Sequence, residues 1–491
     1  MKALRTLAVA LLTLLAGSGL ASSQEAFTAG TWTKLTNATP NGAGINQILL
    51  LQDGTVMAQD AKYATPNNWY KLTPDKTGSY INGTWTTRAA LTIYDPLYFA
   101  SAVLPDGRVL IEGGEYDKGK AVWTTKGAIY TPKTNSWLSM TPPSGWTTIG
   151  DAQSVILPSG TLMLANCCTT QEVLLNASTL TWTTTGTGKA DINDEEGWTL
   201  LPSGNVLTVD ANNLSDLTNS EIYDTATGTW STGGSTIVKL DDTTSSGGGS
   251  HELGPGVLRP DGTVFYAGAT TNNATYNTAT GVWAAAPSFG SGLDMADGPA
   301  ALLPDGNVLL DTSPGVYQTG CTFFEWDGAA LNSVPGPPNA TKDSSYFGHM
   351  LVLPTGQILF TDFSSDVEVY TPSGTFQATW APKITHVSAT LTHGSHSNLI
   401  AGTQFNGFSQ GAAYGDDTQN ATNFPLVRIA NNATGHVFYA NTHNPSTMGV
   451  ATGSTLVSAK FDVPANIELG PSTLAVVANG IPSASVAVTI N

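Results

Sequence analysis

Acidic and aromatic residues that could bind a ligand recur between the apolar runs of this sequence. The main candidates are Asp194, Glu195, Trp198, His251, Glu252 and Asp297. Carboxylates beside aromatic rings are the usual means of holding sugars, because carboxylates accept paired hydroxyl hydrogen bonds and rings stack on apolar sugar faces. The same carboxylates could hold Ca²⁺, which takes about six to eight oxygen ligands. The alternative is a solvated acidic rim that only keeps the protein soluble.

Catalytic chemistry finds less support in the sequence. Paired carboxylates can hydrolyse glycosidic bonds, but nothing in the sequence sets their separation. In an extended Asp194-Glu195-Glu196 run, neighbouring side chains would point to opposite faces. The sequence contains no Gly-rich phosphate loop, nucleophile elbow or HExxH zinc motif. We therefore expect these residues to bind rather than to catalyse.

Composition narrows the class of partner. The 491 residues include 19 basic and 37 acidic side chains, which gives a formal net charge of −18. Such a surface repels phosphate backbones and anionic lipids, so we expect no nucleic-acid or membrane-surface partner. Hydrophobic residues make up 41 % of the chain, enough for a large packed core. The 52 Gly and 27 Pro residues favour short strands and tight turns over helices.

The N-terminus has the pattern of a secretory signal peptide. Lys2 and Arg5 precede an apolar stretch, and small residues follow it. We expect residues 1–23 to be the signal peptide, with cleavage near Ala21 to Ser23. No later stretch approaches the ~20 apolar residues of a membrane span. The mature protein is therefore predicted to be secreted, either into a periplasm or outside the cell.

A sequence repeat reveals the elements that must position these residues. An apolar strand, a turn ending in Gly and a second apolar strand recur along the chain. The turn glycines are Gly54, Gly107, Gly160, Gly204, Gly262, Gly306 and Gly356. Glycine permits the positive φ that a tight hairpin requires.

A second hairpin follows most of these turns. Its mark is a Tyr placed seven residues before a Trp, as in Tyr130/Trp137, Tyr223/Trp230 and Tyr276/Trp283. Each unit therefore predicts four antiparallel strands, and seven such sheets can bury both of their faces by packing radially. The pattern predicts an all-β fold with a seven-bladed propeller over residues 24–380. We expect the repeated Tyr and Trp to fill the gaps between blades.

The topology of a blade also says where the candidates lie. The loops before the first strand and after the second strand open on one face of the disc. All six ligand candidates fall in or beside such loops, as do Tyr98, Asp151 and Tyr346. This face should therefore be acidic, with aromatic residues interspersed.

The repeat stops after Trp380, and residues 381–491 are predicted to form one immunoglobulin-like β-sandwich. Within it, the run from Ser409 to Asp417 is a compact polar insertion. It is either an ordinary long loop or a plug for the central channel of the propeller.

The units around Pro105-Asp106-Gly107 and Tyr130 to Trp137 resemble kelch repeats. Seven of them before a sandwich resemble the galactose oxidase and glyoxal oxidase family. That resemblance implies a copper ion held by two His and two Tyr, one Tyr being cross-linked to a Cys. It assigns Tyr346 as the axial Tyr, His349 as a displaced His ligand, and His436 or His443 as the ligand from the sandwich.

The resemblance is incomplete at the copper-radical site. Phe347 stands where the family has a His ligand, and no Cys precedes the blade strands where the cross-link would form. Without that Cys the radical cofactor cannot form, although an ordinary Cu(II) site could still do so. Cys321 should be a free thiol, whereas Cys167 and Cys168 form a vicinal bridge or stay reduced.

The sequence thus favours a secreted protein that binds an extracellular glycan or a similar polyol on its acidic and aromatic face. The alternative is a copper oxidoreductase of the galactose oxidase type with an altered site. Glycan binding requires no metal. Copper and Ca²⁺ are the two metals for which the sequence offers ligands. The sequence does not indicate an oligomeric state.

Overall fold

The computed structural model describes residues 27–63 and 65–491, so the predicted signal peptide lies outside the described residues. Strands dominate this part of the chain. The helical elements within it are three short 3-10 helices, Pro40–Gly42, Ser345–Phe347 and Ala378–Trp380. No helix in these ranges is both long and apolar enough to cross a lipid bilayer.

Antiparallel sheets arranged as the blades of a propeller account for most of the chain. The strands up to the end of the third blade are β1 (Thr31–Lys34), β2 (Ile45–Leu50), β3 (Val56–Asp60), β4 (Trp69–Thr73), β5 (Thr84–Thr87), β6 (Pro96–Leu97), β7 (Ala100–Val103), β8 (Val109–Glu112), β9 (Tyr116–Asp117), β10 (Lys120–Ala121), β11 (Gly127–Thr131), β12 (Ser136–Ser139), β13 (Ser154–Ile156), β14 (Leu162–Ala165), β15 (Glu172–Asn176) and β16 (Thr181–Thr185). β2–β5 form blade one, β7, β8, β11 and β12 blade two, and β13–β16 blade three. The short strands β6, β9 and β10 form a separate small sheet beside blade two.

The remaining blades follow the same order. Their strands are β17 (Thr199–Leu200), β18 (Val206–Val209), β19 (Asn219–Asp224), β20 (Thr229–Ser235), β21 (Gly256–Leu258), β22 (Thr263–Ala267), β23 (Asn273–Asn277), β24 (Val282–Ala286), β25 (Ala300–Leu302), β26 (Val308–Thr312), β27 (Thr322–Trp326), β28 (Leu331–Val334), β29 (His349–Val352), β30 (Ile358–Thr361) and β31 (Glu368–Thr371). First strands of neighbouring blades contact each other, as β7 and β13 or β21 and β25 do. β29 also contacts β2, so blade seven meets blade one and the ring closes.

The N-terminal strand closes the seventh blade. β1 pairs with β31, with Thr31 opposite Thr371 and Lys34 opposite Glu368. The ring of Trp32 lies 4.9 Å from that of Tyr370. Trp380, the Trp that follows Tyr370 in the sequence, lies instead in a 3-10 helix. The chain that leads into blade one therefore supplies the fourth strand of blade seven, which ties the first blade to the last.

A β-sandwich follows the propeller. Its strands are β32 (Lys383–Val387), β33 (Thr390–Leu391), β34 (Asn398–Thr403), β36 (Leu426–Asn431), β37 (Val437–His443), β38 (Val457–Asp462), β39 (Gly470–Ala478), β40 (Ile481–Pro482) and β41 (Val486–Ile490), while β35 (Ala412–Ala413) leaves it to join blade six. Ile400, Phe461 and Val476 lie in its buried core. The predicted fold class, a seven-bladed propeller followed by an immunoglobulin-like sandwich, is confirmed.

The sandwich covers the propeller face that carries the first hairpin turn of each blade. Asn444 donates its backbone N–H to the Pro105 carbonyl at 3.0 Å, and Met448 does the same to Pro158 at 2.9 Å. A Cβ on Gly54 would stand 2.5 Å from the Tyr439 ring, and Gly54 has a φ of +73°. Glycine is therefore required at this turn both for its conformation and for the close approach of the sandwich. The opposite face of the propeller stays free of the sandwich strands.

The polar insertion of the sandwich passes into the central channel. Ala413 pairs with Ala300 on the first strand of blade six. The Gln410 side chain accepts a hydrogen bond from the Leu200 backbone N–H at 2.8 Å, in blade four. We call residues 409–420 the channel segment. Of the two alternatives for this insertion, the structure shows the plug.

Candidate functional site

Carboxylates from four blades and from the channel segment converge on the free face of the propeller. Glu195, Glu252 and Asp297 each offer one oxygen, and these oxygens lie within 4.8 Å of one another. Asp151, Glu195 and Asp416 form a second such triad. Because Glu195 belongs to both triads, the five residues form one continuous set of donors, which we call the carboxylate cluster. Three of the six predicted ligand residues belong to it.

The backbone that presents these side chains is in an unusual conformation. Glu195, His251 and Asp297 all have positive φ, at 59°, 69° and 46°, in the loops before the first strands of blades four to six. Tyr98, in the loop before blade two, also has a positive φ, of 49°. Left-handed conformations of non-glycine residues cost energy and tend to gather at functional sites. The same bend therefore recurs in the loops that carry Glu195 and Asp297 of the carboxylate cluster.

Asp416 reaches the carboxylate cluster through the length of the channel. It lies two residues after Tyr414, whose hydroxyl donates to the Tyr346 carbonyl at 2.8 Å. A Cβ at Gly415 would stand 2.3 Å from Asp297 Oδ1, so only glycine fits at this step. Sequence analysis did not assign Asp416 to the site. The signal that could have found it was the compact polar insertion with its Asp-Asp pair.

The carboxylate cluster is short of compensating charge. Glu252 is 6 % exposed and Asp416 only 2 %. Burial, and then the charge of Glu252, raises the pKa of Asp416 to about 8. Burial likewise raises the pKa of Glu195 and Asp297 well above the usual range, and again the Glu252 carboxylate adds to the effect. The ion pairs among the described residues involve other carboxylates.

Aromatic rings from blades one, two, six and seven form the other half of this face. Each ring contacts the next in the order Tyr63, Tyr116, Tyr98, Phe363, Phe347, Tyr346 and Tyr317, with centroids 4.1 to 6.4 Å apart. We call this set the aromatic arc. It meets the carboxylate cluster at Tyr317, whose hydroxyl donates to Glu252 Oε1. The two ends, Tyr63 and Tyr317, are 50 % and 46 % exposed.

Three of the predicted ligand residues lie outside the carboxylate cluster. Trp198 is 3 % exposed and its ring lies 5.9 Å from that of Trp230, so it packs inside the blade and cannot stack on a ligand. This corrects the expectation for Trp198. Asp194 Oδ1 lies 3.2 Å from Cys168 Sγ. His251 Nδ1 lies 2.7 Å from Thr243 Oγ1, beside Glu252 rather than among the carboxylate donors.

The three consecutive acidic residues before blade four, Asp194 to Glu196, therefore lie in three different environments. Asp194 contacts the cysteine pair, and Glu195 joins the carboxylate cluster. Glu196 turns inward and accepts from the buried Lys189 Nζ at 2.8 Å. Lys189 also contacts Glu221 at 2.9 Å, so this inner group of carboxylates has its own cation. In an extended strand Asp194 and Glu196 would lie on the same face. The positive φ of Glu195 instead lets the three side chains point in three different directions.

The residues proposed for copper do not come together. Tyr346 lies in the aromatic arc, and His349 is fully buried with its ring stacked 5.2 Å from that of Tyr414. His436 and His443 instead pair with Glu468 and Asp462, at 2.6 and 3.2 Å. His443 ends β37 and His436 directly precedes that strand. β37 meets the turn face of the propeller, since Val437 donates its N–H to the Lys76 carbonyl at 2.8 Å. The two-His, two-Tyr set therefore does not fit a copper ion here, and no copper chemistry is derived from it.

The cysteines have the arrangement that the blade count predicts. Cys167 and Cys168 form a disulfide, and Cys321 is free. The Cys321 thiol donates to the Asp343 carbonyl at 3.2 Å. Burial raises the pKa of that thiol far above its ordinary value, so it stays protonated and unreactive.

Comparison with known proteins identifies the fold. No protein-family profile matches the chain, and no curated protein matches it. A fungal alcohol oxidase of the AA5 family, solved in complex with copper, has a TM-score of 0.50 at 12 % identity, covering 94 % of this chain and 99 % of that one. A virginiamycin B lyase from Staphylococcus aureus has a TM-score of 0.47 at 11 % identity, covering 70 % and 98 %. The similarity to the oxidase shows that this chain has a propeller fold of the galactose-oxidase type.

Proposed function

We propose that this protein binds a glycan or a similar polyol on the free face of its propeller. The observation that carries the proposal is the junction at Tyr317. Its ring lies 5.5 Å from that of Tyr346 at the end of the aromatic arc, and its hydroxyl donates to Glu252 in the carboxylate cluster. Stacking surface and hydroxyl acceptors therefore meet at one point, which is the combination that a sugar ring requires.

The aromatic arc supplies the apolar half of such a site. Tyr63 and Tyr317 are each about half exposed, and the five rings between them are partly exposed. Stacking a sugar on an exposed aromatic ring removes apolar surface of both from water, which favours binding. Four blades contribute to the arc, so the surface is long enough to contact more than one ring of a ligand.

The carboxylate cluster supplies the polar half. Asp151, Glu195 and Asp297 are partly exposed, while Glu252 and Asp416 lie deeper. Carboxyl groups accept hydrogen bonds when ionised and can also donate one when protonated, which suits the hydroxyl groups of a polyol. An anionic ligand would be repelled by this half, so we propose a neutral glycan.

We also propose that the protein is secreted and that its blades are kelch repeats. The charged and apolar pattern of residues 1–23 supports export. The repeated ring pairs support the kelch assignment, because Tyr130/Trp137, Tyr223/Trp230 and Tyr276/Trp283 lie 5.0, 5.4 and 5.1 Å apart between equivalent strands.

The second candidate, a copper oxidase with an altered site, has only the shared fold in its favour. The AA5 alcohol oxidase was solved with copper. In this chain, His436 and His443 are engaged on the other side of the propeller from Tyr346, and a shared fold hosts many functions. Glycan binding is therefore the function that the geometry supports best.

The test is a binding experiment on the mature chain with a panel of neutral oligosaccharides, followed by titration calorimetry with the best ligand. Tyr317→Ala and Tyr63→Ala should each weaken binding at least tenfold and leave the melting temperature unchanged. Leu399→Ala, an equally exposed apolar change on the sandwich, is the matched control. Absence of binding across the panel would overturn the proposal. So would binding by both Tyr variants that is as tight as binding by the wild type.

A further inference from the structure

We propose that Asp151, Glu195, Glu252, Asp297 and Asp416 bind a hard divalent cation of the Ca²⁺ class at the mouth of the channel. The site goes beyond glycan binding, because it would bind the cation whether or not a glycan is present. It also differs from a copper site of Tyr and His ligands in every one of its donors.

The first support is the geometry of the carboxylate cluster. Two triads of carboxylate oxygens, each within 4.8 Å, share Glu195. Oxygens at this spacing can all reach one ion after small side-chain rotations, since Ca²⁺ binds oxygens at about 2.3–2.6 Å. The donors come from four blades and from the sandwich, so the fold brings together residues that are far apart in sequence.

The second support is independent of the number of acids. Asp416 is 2 % exposed, yet its Oδ2 has no hydrogen-bond partner among the described residues. One of its carboxylate oxygens lies within 4.8 Å of oxygens of Asp151 and Glu195. Glu252, 6 % exposed, has an equally unpartnered Oε2. Buried charged oxygens are normally paired, because leaving one unpaired costs much of its hydration energy. Asp416 and Glu252 belong to two triads that share Glu195, and their unpaired buried oxygens point to a cation bound in this cluster.

The same molecule contains a triad that is satisfied differently. Asp191, Glu196 and Asp210 also place three carboxylate oxygens within 4.8 Å of one another. There, Lys189 Nζ lies 2.8 Å from Glu196 Oε1 and supplies the positive charge. No Lys, Arg or His of the described chain forms an ion pair with a member of the carboxylate cluster. The carboxylate cluster at the channel mouth therefore resembles the triad of Asp191, Glu196 and Asp210, but it lacks a lysine like Lys189.

The donor set selects the class of cation. All five donors are carboxylates, which suit hard ions and not copper(I) or zinc sites built on sulfur. Mg²⁺ keeps several waters and is usually held by one or two carboxylates, whereas Ca²⁺ accepts many oxygens in a flexible arrangement. Five carboxylates on separate loops therefore fit Ca²⁺ better than Mg²⁺.

The test uses the mature chain, stripped with a chelator, dialysed and kept free of glycan. Titration calorimetry with CaCl₂ should show saturable binding, and millimolar CaCl₂ should raise the melting temperature by several degrees. Glu195→Gln and Asp416→Asn should each weaken Ca²⁺ binding at least tenfold. Asp106→Asn, an exposed carboxylate on the turn face, is the matched control and should bind like the wild type.

Folding of the variants is checked in the same experiment. Because Glu195→Gln keeps the shape of the side chain and removes like-charge repulsion, the cation-free variant should melt at or above the temperature of the cation-free wild type. No Ca²⁺ binding by the wild type would overturn the proposal, as would equal binding by Glu195→Gln. Mg²⁺ binding as tight as Ca²⁺ binding would overturn the assignment to the Ca²⁺ class. Failure of glycan binding would leave this result unaffected, so the two proposals are separable.

Discussion

The hydroxyl of Tyr414 donates a hydrogen bond to the backbone carbonyl of Tyr346 at 2.8 Å, which joins the channel segment to the loop that enters blade seven. Tyr414 is 1 % exposed and its ring is stacked on that of His349. Asp416 follows two residues later, so this bond helps to set the position of a carboxylate supplied by the sandwich. The site is thus shared between the two domains.

Tyr414→Phe should destabilise the protein by about 1–2 kcal/mol, because the ring still packs while the Tyr346 carbonyl loses its donor. The measurement is the urea midpoint at neutral pH. Tyr63→Phe, at an exposed position, is the control and should leave the midpoint unchanged. An unchanged midpoint for Tyr414→Phe would show that water replaces the hydroxyl.

Lys189→Met should cost about 3–5 kcal/mol of unfolding free energy, since it leaves Glu196 and Glu221 buried without their cation. Lys34→Met is the matched control. Lys34 also forms an ion pair, with Asp366 at 2.5 Å, but its side chain is 63 % exposed, so its loss should leave the stability almost unchanged. Thermal melting of the two variants compares them directly, and equal losses would contradict the assigned role of Lys189.

His349→Phe should make the protein more resistant to acid. Burial lowers the pKa of His349 to about 4, against about 6.5 in an unfolded chain. Between those values the unfolded state binds a proton that the native state does not, so wild-type stability falls as the pH drops through this window. The Phe variant lacks that loss and should gain about 2 kcal/mol on the wild type between pH 7 and pH 5. Urea midpoints at both pH values test this, with the exposed His386→Phe as control.

Glu368→Gln should act in the opposite direction. Glu368 is 1 % exposed, neither of its carboxylate oxygens has a partner among the described residues, and burial with the nearby Asp362 charge raises its pKa to about 9. Native Glu368 stays protonated where the unfolded chain has lost the proton, so stability is lost as the pH rises from about 4.3 towards 9. The variant should match the wild type near pH 4 and exceed it by about 5 kcal/mol at pH 8. The measurement is the melting curve of the variant and of the wild type at both pH values. A difference in stability that does not change with pH would contradict the role assigned to the Glu368 proton.

The blade pattern was predictable because it is local. Gly107 and its equivalents mark hairpins within one short stretch of chain, and Tyr130 and Trp137 face each other across the next hairpin. The order of strands in a blade then decides which loops open on which face. Glu195, Glu252 and Asp297 could therefore be assigned to one site from the sequence alone, because equivalent loops of a ring converge on its axis.

Other features depend on contacts between distant parts of the chain. Pairing of β1 with β31 joins residues that no repeat connects. The side-chain direction of Trp198 is set by packing against Trp230, and those of His436 and His443 by the side of the propeller that the sandwich covers. Periodicity gives the face on which a loop lies but not the direction in which each of its side chains points.

The sequence by itself determined seven blades, a following sandwich and an acidic, aromatic face, because each follows from short-range pattern and from the topology of a repeating sheet. Only the tertiary structure decided that Asp416 enters the site through the channel and that Lys189 neutralises one carboxylate triad. It also decided that the carboxylate cluster has no such cation among residues 27–63 and 65–491. The physical reason is that buried charges are compensated across long sequence separations. The identity of the compensating group therefore depends on how the whole chain packs.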